Sequence, residues 1–138
     1  MQHPEVCVGG LVLNGKGEAL FIRSPKWLDR LVVPGGHIDV GEPTEKAVER
    51  EILEETGLKV KVVRLLNVQD GINSPEFYEP RHFVFLNYLC ALKGGSVKID
   101  NDEATEALWL RPEEALQRKD VEPFTKNVLR AYLALDGK

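Results

Sequence analysis

The stretch from Thr44 to Thr56 limits what this chain can fold into more than any other. It is fenced by Pro43 before it and Gly57 after it. Proline suits the first turn of a helix and glycine the left-handed position that follows the last, so the spacing predicts a helix from about Pro43 or Thr44 to Thr56. At about 100° per residue, with Ala47 at zero, Glu51 falls at about 40°, Glu54 at about 340° and Glu55 at about 80°. Three carboxylates therefore share an arc of about 100° within one turn. Val48, Ile52 and Thr56 occupy about 100° to 180°, the side that can meet a core. Ala47, the smallest side chain, lies in the middle of the acidic arc, where a loop or ligand can approach closely. Like charges at these spacings weaken a helix by a few tenths of a kcal/mol per pair. Arg50 can offset this by pairing with Glu54, and a hard divalent cation would offset it better.

The rest of the chain reads as short strands broken by turns. Residues 6–13 are a continuous apolar run, as in a strand buried on both faces. Asn14-Gly15-Lys16-Gly17 signals a tight turn, with Ala19–Arg23 as the return strand of a hairpin. Residues 24–30 read as a charged loop holding Trp27. Short strands are expected at Leu31–Val33, stopped by Pro34-Gly35-Gly36, and at His37–Val40. Leu58–Val68 alternates in the manner of a strand. Residues 69–82 are expected to form a long polar loop, Phe83–Leu92 a central strand and Ala107–Leu110 a further short one. Pro112–Gln117 and Glu122–Leu135 look helical, the latter with Phe124, Val128, Tyr132 and Leu135 as its core stripe. Strands, hairpins and two or three helices in this order predict helices on both faces of a mixed sheet.

Composition narrows the partners. At 138 residues the chain suits a single domain, 1–138, and its 43% hydrophobic content allows a core without disulfides or a structural metal. Ten residues, Phe83 to Leu92, are the longest apolar stretch, short of the about 20 a spanning helix needs. The start, MQHPEVCVGG, lacks the pattern of a secretory signal. Cys7 and Cys90 lie in apolar stretches and read as buried thiols in a reducing, cytoplasmic compartment. Between Glu42 and Glu55 there are six acids and two bases, while the remainder carries 16 of each. The acidity is thus local, and no broad basic field invites long nucleic acid.

The segment around the helix has a recognisable spacing. Gly36 is followed after five residues by Glu42, and seven residues later come Arg50-Glu51-Ile52-Leu53-Glu54-Glu55-Thr56-Gly57-Leu58. This resembles the Nudix box, the signature of the Nudix hydrolases, and every defining position matches; the preceding Val33-Pro34-Gly35 is similar to the family as well. The resemblance implies an α/β/α sandwich with a mixed sheet. It implies hydrolysis of a nucleoside diphosphate linked to another moiety, by water and with Mg²⁺ or Mn²⁺. Carried over by position, Glu51, Glu54 and Glu55 are metal ligands, with the Gly36 carbonyl as a further one. Arg50 orients the carboxylates and Glu42 supports the loop–helix–loop. Glu51 or Glu54 is the general base, or else an acid on a later loop, for which Glu103 and Glu106 are the candidates.

Outside the box, Trp27 is a candidate for stacking on a base, and Arg23 and Lys26 for binding phosphate. In the 69–82 segment Phe77, Tyr78 and Arg81 offer stacking and anion-binding groups, and the length of this structureless connection raises the prior that it is functional. The candidate substrates are nucleoside triphosphates, ADP-ribose-like dinucleotides and nucleotide sugars. Two other readings stay open: a non-catalytic nucleotide-binding regulator on the same fold, against which the intact box argues, and a pyrophosphohydrolase of RNA 5′ ends. Many relatives dimerise, which leaves a homodimer open.

Overall fold

A computed structural model describes residues 2–99 and 102–137. Among these described residues the frame is a seven-stranded mixed sheet. β1 (Glu5–Leu13) lies at the centre, parallel to β6 (His82–Gly95), and β5 (Leu58–Ile72) runs antiparallel along the outer side of β6. β2 (Ala19–Ser24) leads to the other wing, where it pairs with β3 (Arg30–Val32) and β7 (Glu106–Leu110). β4 (Gly35–His37) pairs antiparallel with residues Cys7, Val8 and Gly9 of β1. Among the described residues, no helix is long and apolar enough to cross a membrane.

Helices cover both faces, as the mixed pattern predicted. α1 (Thr44–Thr56) buries Ala47, Val48, Ile52 and Thr56, and packs with Val8, Val12, Leu20, Val60, Tyr88 and Cys90 of the sheet. Gly57 ends it at φ 79°, its N–H bonded to the Leu53 carbonyl at 2.9 Å, a conformation glycine adopts without steric cost. On the opposite face α2 (Pro112–Gln117) and α3 (Pro123–Leu133) enclose Leu11, Phe21, Leu31, Ala115, Val121, Val128 and Leu129. Both cysteines are free and buried.

Four expectations need correction. The Asn14 turn forms, but β1 and β2 pair only at Leu13 and Ala19; β4 occupies the edge of β1 that a longer hairpin would need. The short strand after Pro34 is Gly35–His37, not His37–Val40, because residues beyond His37 turn towards α1. The expected polar loop at 69–82 is strand at both ends: Gln69, Asp70, Gly71 and Ile72 pair with Phe85, Val84, Phe83 and His82, so the loop itself is the shorter 73–81. Polar residues suit the outermost strand of a sheet, which hid the continuation of β5. Finally, Val128 and Tyr132 of the expected α3 stripe pack on the core, joined by Thr125 and Leu129, whereas Phe124 faces an aromatic pocket.

Candidate active site

The acidic arc of α1 meets β4 at Gly35 and Gly36. Arg50 is the hub. Its Nε and Nη2 donate to the two Glu42 oxygens at 2.7 and 2.9 Å. Nη2 also donates to the His37 carbonyl at 3.1 Å, and Nη1 to Glu51 at 2.9 Å and Glu54 at 3.2 Å. This guanidinium holds the Glu42 carboxyl below the usual carboxylate range, with help from the Asp39 N–H. Glu51 is wedged against β4: a Cβ on Gly36 would overlap its carboxylate. Glu55 accepts the Gly35 N–H at 3.1 Å.

Burial raises the Glu51 carboxyl, and it pushes that of Glu55 up to about 8, with the charges of Glu103 and Glu51 adding to the effect. The three carboxylates do not converge here, and among the described residues no group of three or more His, Cys, Asp or Glu side chains is arranged to hold a metal ion. Arg50 Nη1 stands between Glu51 and Glu54, while Glu55 turns to Gly35. The donor set nevertheless fits a hard divalent cation. All the donors are oxygens. The crowded, partly dry carboxylates carry an excess of negative charge, and Arg50 keeps Glu42 and His37 through its other nitrogens if Nη1 lets go.

Next to these carboxylates opens a pocket of about 180 Å³. Glu55, Gly35, Gly36 and Glu103 line its acidic end, and Trp27, Phe77, Phe83, Phe85 and Phe124 its apolar wall. The ring centroid of Trp27 lies 4.7 Å from Phe77, 5.9 Å from Phe85 and 6.1 Å from Phe124. Four of the chain's five phenylalanines are thus gathered here. Tyr78, half exposed, Lys26 and Arg81 also line the pocket. Arg81 sits over the Phe77 ring at 5.8 Å and pairs with Glu5, which also bonds His37.

The remaining candidates lie elsewhere. Arg23 and Glu106 are opposite one another on β2 and β7, and they pair at 2.7 Å; Arg23 also binds Asp120 at 3.0 Å and the Asp29 carbonyl at 2.9 Å. Neither lines the pocket, and each is committed to the other. Of the two later acids, it is Glu103 whose charge bears on Glu51 and Glu55. Sequence reasoning passed over Asn87, buried in the pocket lining, where its Nδ2 donates to Asn67 at 3.0 Å. Its signal was the single polar residue in the apolar run 83–92. Phe83, Phe85 and Asn87 alternate along β6 and so share one face. Glu122, fully buried at the start of α3, also reaches the lining, and it accepts the N–H groups of Phe124 and Thr125.

Comparison with known proteins agrees with this architecture. The family described as NUDIX domain matches residues 3–132. A MutT-like protein of Streptomyces ambofaciens is 34% identical over 135 residues, covering 96% of this chain and 77% of that protein. An ADP-ribose pyrophosphatase of Methanocaldococcus jannaschii is 36% identical over 107 residues, covering 76% of this chain and 60% of that protein. Among solved structures, a MutT NUDIX hydrolase from Burkholderia pseudomallei superposes with a TM-score of 0.81 at 26% identity, covering 94% of this chain and 98% of that one.

Proposed function

The chain belongs to the NUDIX family, and from that premise we propose that it hydrolyses a diphosphate linkage in a nucleoside diphosphate derivative, using Mg²⁺ or Mn²⁺ and acting as a single hydrolase domain. One observation carries the reading: the aromatic wall and the Gly36–Glu55 carboxylate site open into the same pocket. A planar base against the rings places its phosphates at the acidic end. The pocket is smaller than the about 300–1,000 Å³ that encloses a whole drug-sized ligand. It therefore takes one ring system and leaves the phosphates at its mouth. An aromatic wall leaves sugar hydroxyls unpaired at a cost of about 1–3 kcal/mol each, so the base rather than a sugar is the group it seats.

Glu51, Glu54, Glu55 and the Gly36 carbonyl would hold the cation, which supplies positive charge to the diphosphate and lowers the pKa of a water. Arg50 keeps the carboxylates in register. Glu55 is tied to Gly35, and Glu51 is wedged at Gly36 and bonded to Arg50. Glu54, the most exposed of the three and the one with the longer Arg50 bonds, can give one oxygen to the cation and keep the other to take a proton from the attacking water. Lys26 and Arg81 at the rim attract the phosphates.

The test is a phosphate- and pyrophosphate-release screen over nucleoside triphosphates, ADP-ribose and nucleotide sugars, with Mg²⁺ and with Mn²⁺. Turnover of one of these nucleoside diphosphate derivatives is expected, together with a fall in kcat of about 100-fold or more in Glu54→Gln. No turnover of any of these, or full activity in Glu54→Gln, would sink the proposal.

A further inference from the structure

The pocket is roofed by two segments far apart in sequence, the short turn Pro25–Trp27 and the loop 73–81. The loop has its own internal bonds: Asn73 N–H to the Arg81 carbonyl at 2.7 Å, Phe77 N–H to the Ser74 carbonyl at 3.3 Å, and Glu76 N–H to Ser74 Oγ at 3.2 Å. These set its shape but not its seat on the turn. Its seat depends on contacts that cross between the two wings. Tyr78 N–H donates to the Lys26 carbonyl at 2.8 Å, Phe77 meets Trp27 edge-on, and Arg30 Nε lies 2.7 Å from Glu76 Oε2.

The last contact is unlike the other two. Glu76 Oε2 is shut off from water and has no hydrogen-bond partner among the described residues. The guanidinium of Arg30 is what offsets its charge. Glu122, fully buried nearby, feels the charge of Glu76 as a repulsion. Arg30 itself stands on firm ground: β3 pairs with β2, and its Leu31 exchanges backbone bonds with Asp120 at 2.7 Å and Glu122 at 3.0 Å.

We propose that Arg30 and Glu76 are positioning residues for substrate binding: their ion pair latches the loop 73–81 to β3 and so holds Phe77 and Tyr78 against Trp27 over the pocket. The Glu76 side chain is 23% exposed, but its Oε2 is shut off where it sits, and without Arg30 that oxygen reaches water most readily when the loop lifts. The loop swings out to hydrate it, and Phe77 leaves Trp27. The pair touches neither the carboxylates of α1 nor Gly36, so its loss weakens binding and spares the chemical step. The inference rests on the reading that this pocket seats the base.

The experiment uses the full chain in a Trp109→Phe background, which leaves Trp27 as the only tryptophan of the original two. Arg30→Glu, Glu76→Arg and the double exchange are compared by acrylamide quenching of Trp27 without nucleotide, and by KM and kcat on the nucleotide substrate selected by the screen. Each single variant is expected to expose Trp27 to quencher and to raise KM about tenfold with kcat within about twofold. The double exchange restores both quenching and KM. Quenching that does not change in the single variants, or a double exchange no better than they are, overturns the latch. Quenching that changes and is restored while KM stays put shows a latch over a pocket that does not seat the base, and overturns the proposal through that reading. A fall in kcat at constant KM also overturns it.

Discussion

Replacing Gly36 by alanine perturbs the site at its tightest point. A Cβ there would lie 2.5 Å from Glu51 Cδ, where ordinary contact begins at 3.4 Å. Roughly 1 Å of movement is required, and a displacement of that size is enough to cost about 100-fold in rate. The backbone of β4 is held by its pairing with β1, so the Glu51 side chain is the part that yields. Gly36 does not adopt a left-handed backbone, so alanine brings no φ strain. Rotating Glu51 away costs about 0.5–1.5 kcal/mol, a small loss of stability. The rate loss corresponds to about 2.7 kcal/mol of transition-state stabilisation. Gly36→Ala should therefore lower kcat/KM about 100-fold with Mg²⁺ present, while its melting temperature falls only slightly. Gly15→Ala is the control, since a Cβ at Gly15 meets nothing within 4 Å. If Gly36→Ala keeps activity within about threefold of the parent, the position of Glu51 beside β4 does not matter to the chemistry and the assignment of that carboxylate is refuted.

Three further outcomes follow from the same geometry. Ile52 is fully buried between α1 and the sheet, so Ile52→Ala should lower the unfolding free energy by about 2–5 kcal/mol in urea titrations, and a loss under about 1 kcal/mol would mean a slack core. Burial pushes the Cys7 and Cys90 thiols up from 9.0 to about 12. Neither should react readily with Ellman's reagent at about pH 8 until guanidinium is added. The folded state binds the thiol protons more tightly than the unfolded chain, so unfolding free energy should drop as pH rises from about 9 towards 12; rapid native labelling would contradict both. Glu106→Gln should leave kcat within about threefold, whereas Glu103→Gln should lower it by about tenfold or more. The reverse ranking would move the later acid of the site back to β7.

The carboxylate arc, its position beside the apolar face of α1 and the stop at Gly57 were all legible without coordinates, and so were the central apolar strands and the helices on both sides. Ala47 was read as a place in the acidic arc for a loop or ligand to approach, but it is fully buried where α1 packs into the core, so no ligand reaches it. The hairpin was overextended because what limits it is β4, a segment more than twenty residues along the chain. The end of β5 was missed because an edge strand needs no alternation strong enough to see. Trp27, Tyr78 and Arg81 do gather round one pocket, whereas Arg23 is drawn off by Glu106 and Asp120.

Sequence alone determined what depends on helical geometry, whose rotation per residue is the same wherever the helix sits. It therefore put Glu51, Glu54 and Glu55 on one arc of α1 with Arg50 beside them, but not the directions their carboxylates take, Glu51 and Glu54 to Arg50 and Glu55 to Gly35. Tertiary structure decided which later acid faces them, which rings wall the pocket and which cations remain at its rim. Those choices follow from pairing registers between distant strands, and a slip of one residue in register turns every side chain to the opposite face. In this chain the register that puts Arg23 opposite Glu106 ties the two together, and the alternation along β6 turns Phe83, Phe85 and Asn87 into the pocket.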